Sequence, residues 1–546
     1  MHHIFHSAYS SLRNCVFFCS RVMLARYVEA LRAQSGGNVV LVDSGDMYQG
    51  TLESNMFEGE SVVRGYNKLG YSGAAVGNHE FDFGPLGPSS LARKPGEDAL
   101  GALKRNAAIA KFPFLAANLI DKSTGRIPSW AKPYTIVRSG RARIGIIGLS
   151  TPDTPNVTMR ANVLTLEFND PLEAAIRYAK ELRSQKVDAV IVIAHMGGRC
   201  TELSEPHSIE SCDRQQEAME FLEAMPPGTI DAYFGGHTHS QMRQMVNGVA
   251  TLQALAYSRE FSTLELWIDP VNHQVIREKT TLRPPTMICS FVYEGTDQCD
   301  ARRAPANARL VPRTFEGRTV EPDPEFVRLF EPYLREVAEK RNEKLGIRTT
   351  AVFTRSYSRE APLGDLMADA LRESTGADIG FFNSGGIRAD LRAGELVYGD
   401  IFEVSPFDNF PAIVLFTGKE VGEAIRLAVS GGRGLMQVSG LRYTVDASIA
   451  KDKDTTANPV VELTLADGSP LDPAKLYRVA MPDFVAAGGD GLMPLIQSLP
   501  EERIKVFYDR PIREYLIDAM RKRGGVLTPI LDRRVTVINM PAGSAK

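Results

Sequence analysis

Two α/β domains joined by a helix are what the sequence predicts, on three observations. The first half repeats short, β-branched apolar runs that end in polar or glycine-bearing loops, several of them followed by a segment of helical period. A second stretch of the same kind begins at about Ala351 and continues to about Val537. The length of 546 residues agrees, because a single core rarely serves more than ~250–300 residues.

In chain order, residues 1–20 form an anomalous N-terminal segment. It carries no acidic residue, and its only sustained apolar stretch, Val16–Phe18, is far short of the ~7–15-residue core of a signal peptide, so no export signal is readable. His2, His3 and His6 have no carboxylate nearby and read as a disordered terminal cluster rather than a metal site. Met23–Ala33 is helix-like. Strands are predicted at Val39–Val42, Gly73–Val76, Ile144–Ile147, Val187–Ala194 and Asp231–Phe234. Asp170-Pro171 opens a helix with Leu172, Ile176, Ala179 and Leu182 on one face, since Asp caps and Pro fits the first turn. Alternation over Ser262–Ile268 and a Pro/Arg-rich stretch near Arg302–Pro312 mark the last strands and exit of the first domain. Asp323-Pro324 then opens a linker helix with Phe326, Leu329, Phe330, Tyr333, Val337 and Leu345 at helical intervals. Gly346 is its expected stop, and Pro332 predicts a kink or a later first turn. The expected boundaries are 1–20, 21–312, 313–346 for the linker and 347–540 for the second domain.

Sixty-three Lys and Arg against 66 Asp and Glu give a net charge of −3, which excludes the footprint of a nucleic-acid-polymer binder and a polyacidic tail. With 43% hydrophobic and 24% charged residues the chain reads as globular, and no apolar run reaches the ~20 residues of a membrane span. No protein partner is inferred. The six cysteines fall into local pairs, Cys15/Cys19, Cys200/Cys212 and Cys289/Cys299; for the two internal pairs, in polar, turn-rich stretches, disulfides outside the cytosol are expected over reduced thiols. A zinc site from Cys200, His207 and Cys212 lacks a fourth ligand.

Chemistry concentrates where the strands end. Asp46 follows Val39–Val42 in DSGD, Asn78 and His79 follow Gly73–Val76 in GNHEFD, His195 closes Val187–His195, and His237 and His239 follow Asp231–Phe234 in GGHTH. In open α/β sheets the carboxyl ends of strands are where ligand crevices form, so these side chains are expected to meet. One carboxylate, one amide oxygen and three imidazoles without thiolate suit Mn, Zn, Co or Fe. His79 and Asp82, three apart, suit an acid whose tautomer a carboxylate fixes; the alternative is that His79 is a further ligand. HEFDF is not HExxH, and neither a nucleophile-elbow serine nor a P-loop occurs, leaving metal-activated water as the natural nucleophile.

In the second domain, Arg355, Arg359 and Arg388 suggest a phosphate cradle, where surface ion pairing is the alternative. Phe407 and Phe484, each beside a turn, suit either base stacking or core packing. Asp490, in GGDG, suits a pair of ribose hydroxyls or an ordinary turn.

GDMYQG, GNHEFDFG, AHMGG and GGHTH resemble the calcineurin-like metallophosphoesterase domain, and NSGGIRADL, SPFDN and DFVAAGGDG the C-terminal domain, of the 5'-nucleotidase/UDP-sugar hydrolase family. The resemblance runs from about Arg21 to Val537. It implies an N-terminal metallophosphoesterase-type β-sandwich flanked by helices, a linker helix and a C-terminal α/β nucleotide-binding domain. It further implies two divalent metal ions (Mn, Zn, Co or similar), with Asp46 bridging, Asn78, His195 and His237 completing one shell and His239 serving the other. His79 with Asp82 matches the family's dyad. Arg355, Arg359 and Arg388 match its phosphate arginines, Phe407 and Phe484 its stacking pair, Asn383 a base-side residue and Asp490 the ribose binder. The family's opening Asp-x-His strand has no counterpart before Asp46, which leaves the second metal site impaired and predicts a start that is wrong or truncated.

The implied function is hydrolysis of nucleoside 5'-monophosphates, with other nucleotides or UDP-sugars as further substrates and domain rotation about Asp323–Gly346. A nucleotide-binding protein with weak or no catalysis is one alternative; thiosulfate or cyclic-phosphodiester chemistry is another. The implied location is periplasmic or extracellular.

Overall fold

A computed structural model describes residues 16–87, 89–300, 304–305, 308–430, 434–451 and 457–540, without the side chains of 16–21 and 451. His2, His3, His6, Cys15 and the Cys19 side chain lie outside the described residues. The chain divides into two compact units. One comprises residues 1–49, 56–154 and 162–335; the other comprises 336–546 with two short earlier segments, 50–55 and 155–161.

The first unit is built on two sheets. In the smaller, Val42–Asp43, Gly73–Ala75 and Phe114–Leu115 run parallel in that order. The larger has six strands in the order Met242–Val246, Val249–Gln253, Ala232–Gly235, Ala189–His195, Ala142–Ser150, Tyr134–Ser139, parallel except for its two outermost pairings. Strand alternation sorts the apolar side chains into layers. Ile144, Ile146, Ile191 and Ile193 share one core with Ala75 and Leu115 of the smaller sheet. Their neighbours Ile147, Leu149, Val190 and Val192 face the helices Pro171–Ser184 and Glu217–Ala224 through Ala175, Ala179, Leu182, Met219 and Leu222. On the smaller sheet, Ala74, Val76 and Phe114 pack with Val62, Val63 and Tyr66 of the helix Glu60–Leu69. This is the expected helix-flanked sandwich.

Local expectations fare differently. Asp170 caps Pro171–Ser184 by accepting from the Leu172 N–H. The predicted run Ser262–Ile268 contains only the two-residue strand Leu264–Glu265, which follows another, Glu260–Phe261. The helix Val16–Gln34 is an integral element: Val22, Leu24, Tyr27 and Val28 form a core with Phe326 and Phe330. The buried Tyr27 hydroxyl donates to the Cys289 carbonyl at 2.8 Å. The linker helix runs without interruption over Pro324–Arg341, Pro332 included, with Asp323 accepting from the Glu325 and Phe326 N–H groups, so the later start is not found. Nor does Gly346 stop it. Gly346 lies inside the strand Lys344–Thr349, where its positive φ of 68° accompanies a register shift.

In the second unit, a five-stranded sheet has the order Met436–Ser439, Ile379–Asn383, Leu476–Pro482, Pro411–Thr417, Ile504–Val506. Thr417 and Glu420 form a capping box at the head of Gly418–Val429, whose Val421, Ala424 and Ile425 join the core of that sheet. Leu441–Asp446 pairs with Val460–Leu465 and, in parallel, with Val535–Ile538.

Candidate metal centre and nucleotide site

Register explains why distant residues meet. Val42 pairs with Gly73 and Asp43 with Ala74, so Asp46 and Asn78 leave adjacent parallel strands at the same edge. Ser150 pairs with His195 and Ala194 with Gly235, which places His237 just beyond His195 on the larger sheet. Four donor atoms converge. From His195 Nε2, Asp46 Oδ2 and Asn78 Oδ1 lie at 3.0 Å and His237 Nδ1 at 3.2 Å. Ligands ~2.0–2.2 Å from a common ion stand roughly this far apart. Among the described residues, Asp46, His195 and His237 form the one carboxylate–imidazole group with donor atoms close enough to hold a metal ion.

The surroundings orient these donors. His195 Nδ1 lies 2.8 Å from the Ser44 carbonyl, which accepts its proton and leaves Nε2 as the electron-pair donor. Burial opposes a charge on His195, yet the Asp46 carboxylate outweighs it and pushes the imidazole up to about 9, so an ion binding at Nε2 would have to displace a proton. Burial likewise opposes the Asp46 charge, but the imidazoles of His195, His79 and His237 hold that carboxyl well below its usual range. Room is made by glycine: a Cβ on Gly77 would stand 2.3 Å from Asp46 Oδ1 and 2.9 Å from His195 Nδ1.

His79 and Asp82 form a pair, Nδ1 to Oδ2 at 2.6 Å, and Gln49 donates to the same Asp82 oxygen at 2.9 Å. The His79 N–H donates to Asp46 Oδ1 at 2.9 Å. His239 is not part of the four-atom convergence; its ring sits edge-on to Tyr257, centroids 5.7 Å apart.

Glu80 was not singled out by sequence reasoning. It is 1% exposed and accepts the backbone N–H groups of Asp46 at 2.9 Å, Met47 at 2.7 Å and Gly77 at 2.5 Å, tying the two loops together. The acid between His79 and Phe81 was in view; two of its partners, Asp46 and Met47, lie 34 and 33 residues away and were not.

In the second unit, Asn383 closes the strand Ile379–Asn383 and donates to Asp490 Oδ2 at 2.6 Å. Arg388 lies over the Phe407 ring, 5.6 Å from its centroid, and donates to the Gly385 carbonyl. Arg355 donates through its backbone to Asp390 and through its guanidinium to the Ile387 carbonyl at 3.4 Å. Arg359 is exposed, its guanidinium 3.4 Å from the Met540 sulfur. Phe484 is half-buried, packed so closely on Gly489 that a Cβ there would meet its ring at 2.4 Å. Cys200–Cys212 and Cys289–Cys299 are disulfides, which closes the zinc reading of that first pair.

The sandwich of two sheets brings imidazole, carboxylate and amide donors together at one edge, a set that suits a divalent ion. The calcineurin-like phosphoesterase family matches residues 19–241, and the 5'-nucleotidase C-terminal domain matches residues 341–497. The chain belongs to the 5'-nucleotidase-type metallophosphoesterases, a family of hydrolases. It is 26% identical to a 5'-nucleotidase of Vibrio cholerae over 85% of this chain and 80% of that one. It is also 26% identical to the cell wall protein Lmo0130 of Listeria monocytogenes, over 85% of this chain but only 58% of that protein's length. A solved 5'-nucleotidase precursor from Thermus thermophilus shares the fold with a TM-score of 0.73 at 24% identity, covering 95% of this chain and 93% of that one.

Proposed function

We propose that this protein hydrolyses nucleoside 5'-monophosphates to nucleoside and phosphate, with other nucleotides or UDP-sugars as further substrates. The observation that carries this reading is the convergence of Asp46, Asn78, His195 and His237 around one point, with His79–Asp82 beside it. Those four residues would hold a divalent ion, which would supply Lewis acidity and activate water. Asp82 accepts a hydrogen bond from His79 Nδ1–H and stabilises the imidazolium, whose Nε2–H passes its proton to the leaving oxygen. Arg355, Arg359 and Arg388 bind phosphate oxygens, Phe407 and Phe484 stack on the base, Asn383 bonds at its edge and Asp490 accepts from the ribose. The two disulfides support a location outside the cytosol.

A second reading, nucleotide binding with weak catalysis, is favoured by one observation: no Asp-x-His stands before Asp46, so of the expected donors to a second ion only Asp46 and His239 are present. Phosphate release from AMP with added manganese, measured beside AMP binding by calorimetry, separates the two. Turnover supports hydrolysis, and binding without turnover supports the second reading. Replacing His79 by Asn is expected to cut turnover ~10²-fold or more while metal content holds, as general-acid loss does; equal loss of both would make His79 a ligand.

A further inference from the structure

We propose that Glu360 is a positioning residue for the arginine-bearing loop of the second unit, and that one proton shared with Asp365 keeps it in place. The inference rests on the reading of Arg359 as a phosphate ligand. Glu360 directly follows Arg359 and leads into the helix Pro362–Thr375. Its Oε2 accepts the Val535 N–H at 3.1 Å, while its Oε1 is buried and no donor reaches it. Asp365 is 4% exposed, and both its carboxylate oxygens are buried without a donor. Glu360 and Asp365 both reach the same two consecutive residues, since Glu360 Oε2 accepts from the Val535 N–H and Asp365 Oδ1 lies 3.8 Å from Arg534 Nε, which brings the two carboxyl groups together. Two adjacent carboxylates cannot both ionise in such a place, whereas a single proton turns one oxygen into a donor for the other.

The surrounding cations are already committed. Arg534 comes within 3.8 Å of Asp365, but its guanidinium donates to Asp369 at 2.6 and 3.1 Å and to Asp532 at 2.6 Å. Arg523 serves Asp369 at 3.1 Å and Glu373 at 2.7 Å. Two guanidiniums thus stand among five carboxyl groups. The phenol of Tyr443, which also feels the Glu360 charge, donates to the Met436 carbonyl. Burial, opposed by Arg534 and reinforced by the Glu360 charge, pushes the Asp365 carboxyl up to about 8.

Geometry links the pair to the arginine. Gln437 holds the same stretch from the other side, donating to the Arg359 carbonyl at 3.0 Å and accepting from the Ala361 N–H at 3.3 Å. Glu360 supplies the tie to the strand Val535–Ile538. Loss of the shared proton sets carboxylate against carboxylate, drives Glu360 from Val535 and loosens the backbone on which Arg359 stands.

The test compares the full-length wild type with Asp365→Asn, whose amide donates to Glu360 with no proton to lose. Because the folded-state pKa of Asp365 is raised, its stabilisation is full below the ordinary carboxylate range and is lost as pH rises toward about 8. The wild-type Tm is therefore expected to fall relative to the variant's between pH 5 and 9. Over pH 7–9 the wild-type KM for a nucleoside monophosphate is expected to rise roughly threefold or more at constant kcat, and the variant's to stay level. Parallel Tm profiles would overturn the shared proton, and diverging Tm profiles with identical KM profiles would overturn the positioning role. An Arg359→Ala enzyme with unchanged KM would instead overturn the reading of Arg359, leaving the Tm comparison to decide the proton. Should Asp365→Asn not fold, Glu360→Gln brings the same donor from the other side, with the same expected profiles.

Discussion

Asp46, His237, His239 and Asp490 all hold positive φ, at 60°, 71°, 52° and 50°. Left-handed backbone costs a non-glycine residue ~1–2 kcal/mol, and such strain gathers where side chains must be aimed. Glu80 opposes that cost by collecting three N–H groups from the loops that carry Asp46 and Asn78. Glu80→Gln keeps the size but leaves one acceptor oxygen for three donors, so manganese affinity measured by calorimetry is expected to fall ~10-fold or more, since a buried unpaired N–H costs ~1–3 kcal/mol. Unchanged affinity would show that the loops hold themselves. Gly489→Ala pushes on the Phe484 ring and is expected to raise KM for AMP while kcat is kept. The ligand-type residues were legible because glycine-flanked polar letters after apolar runs are rare by chance. Glu80 was not, because its partners are backbone groups, which carry no side-chain signature.

Elements succeed where local chemistry suffices and fail where neighbours overrule it. The helix Pro171–Ser184 starts where Asp170 and Pro171 say it should. Pro332 does not displace the start of Pro324–Arg341, since Asp323 caps its first turn and Phe326 and Phe330 are anchored in a core with Val22 and Tyr27. Gly346 punctuates a strand because Lys344–Thr349 is claimed on both sides, by Gly394–Val397 and Val526–Leu527. The Cys200–Cys212 bridge closes the loop after His195, where the Cys200 N–H also donates to Gln241. Replacing both cysteines with serine is expected to cost ~2–3 kcal/mol in urea unfolding, the value of a loop of about this length. A midpoint unmoved by the change would show the bridge to be dispensable.

At the scale of the whole molecule, the proposed function assigns metal chemistry to one unit and nucleotide binding to the other, so their losses should be separable. His237→Ala is expected to abolish turnover and weaken manganese binding while AMP still binds. Phe407→Ala with Phe484→Ala is expected to raise KM by ~10-fold or more with manganese affinity intact, since each stacking contact is worth ~1–3 kcal/mol. A change in both properties from either substitution would mean that the sites are not independent.

The sequence alone determined the α/β class, the strand ends that bear Asp46, Asn78, His195 and His237, the pairing of Cys200 with Cys212 and of Cys289 with Cys299, and the family. The first three follow from period, turn chemistry and spacing, which are local; the family follows from the resemblance of the sequence motifs. Only the tertiary structure decided that Asp46, Asn78, His195 and His237 share one point, that Glu80 binds two loops together, and that Glu360 Oε1 and both Asp365 oxygens are buried where no donor reaches them. Those facts depend on strand register and on burial, which bring together residues on different elements, far apart in the sequence.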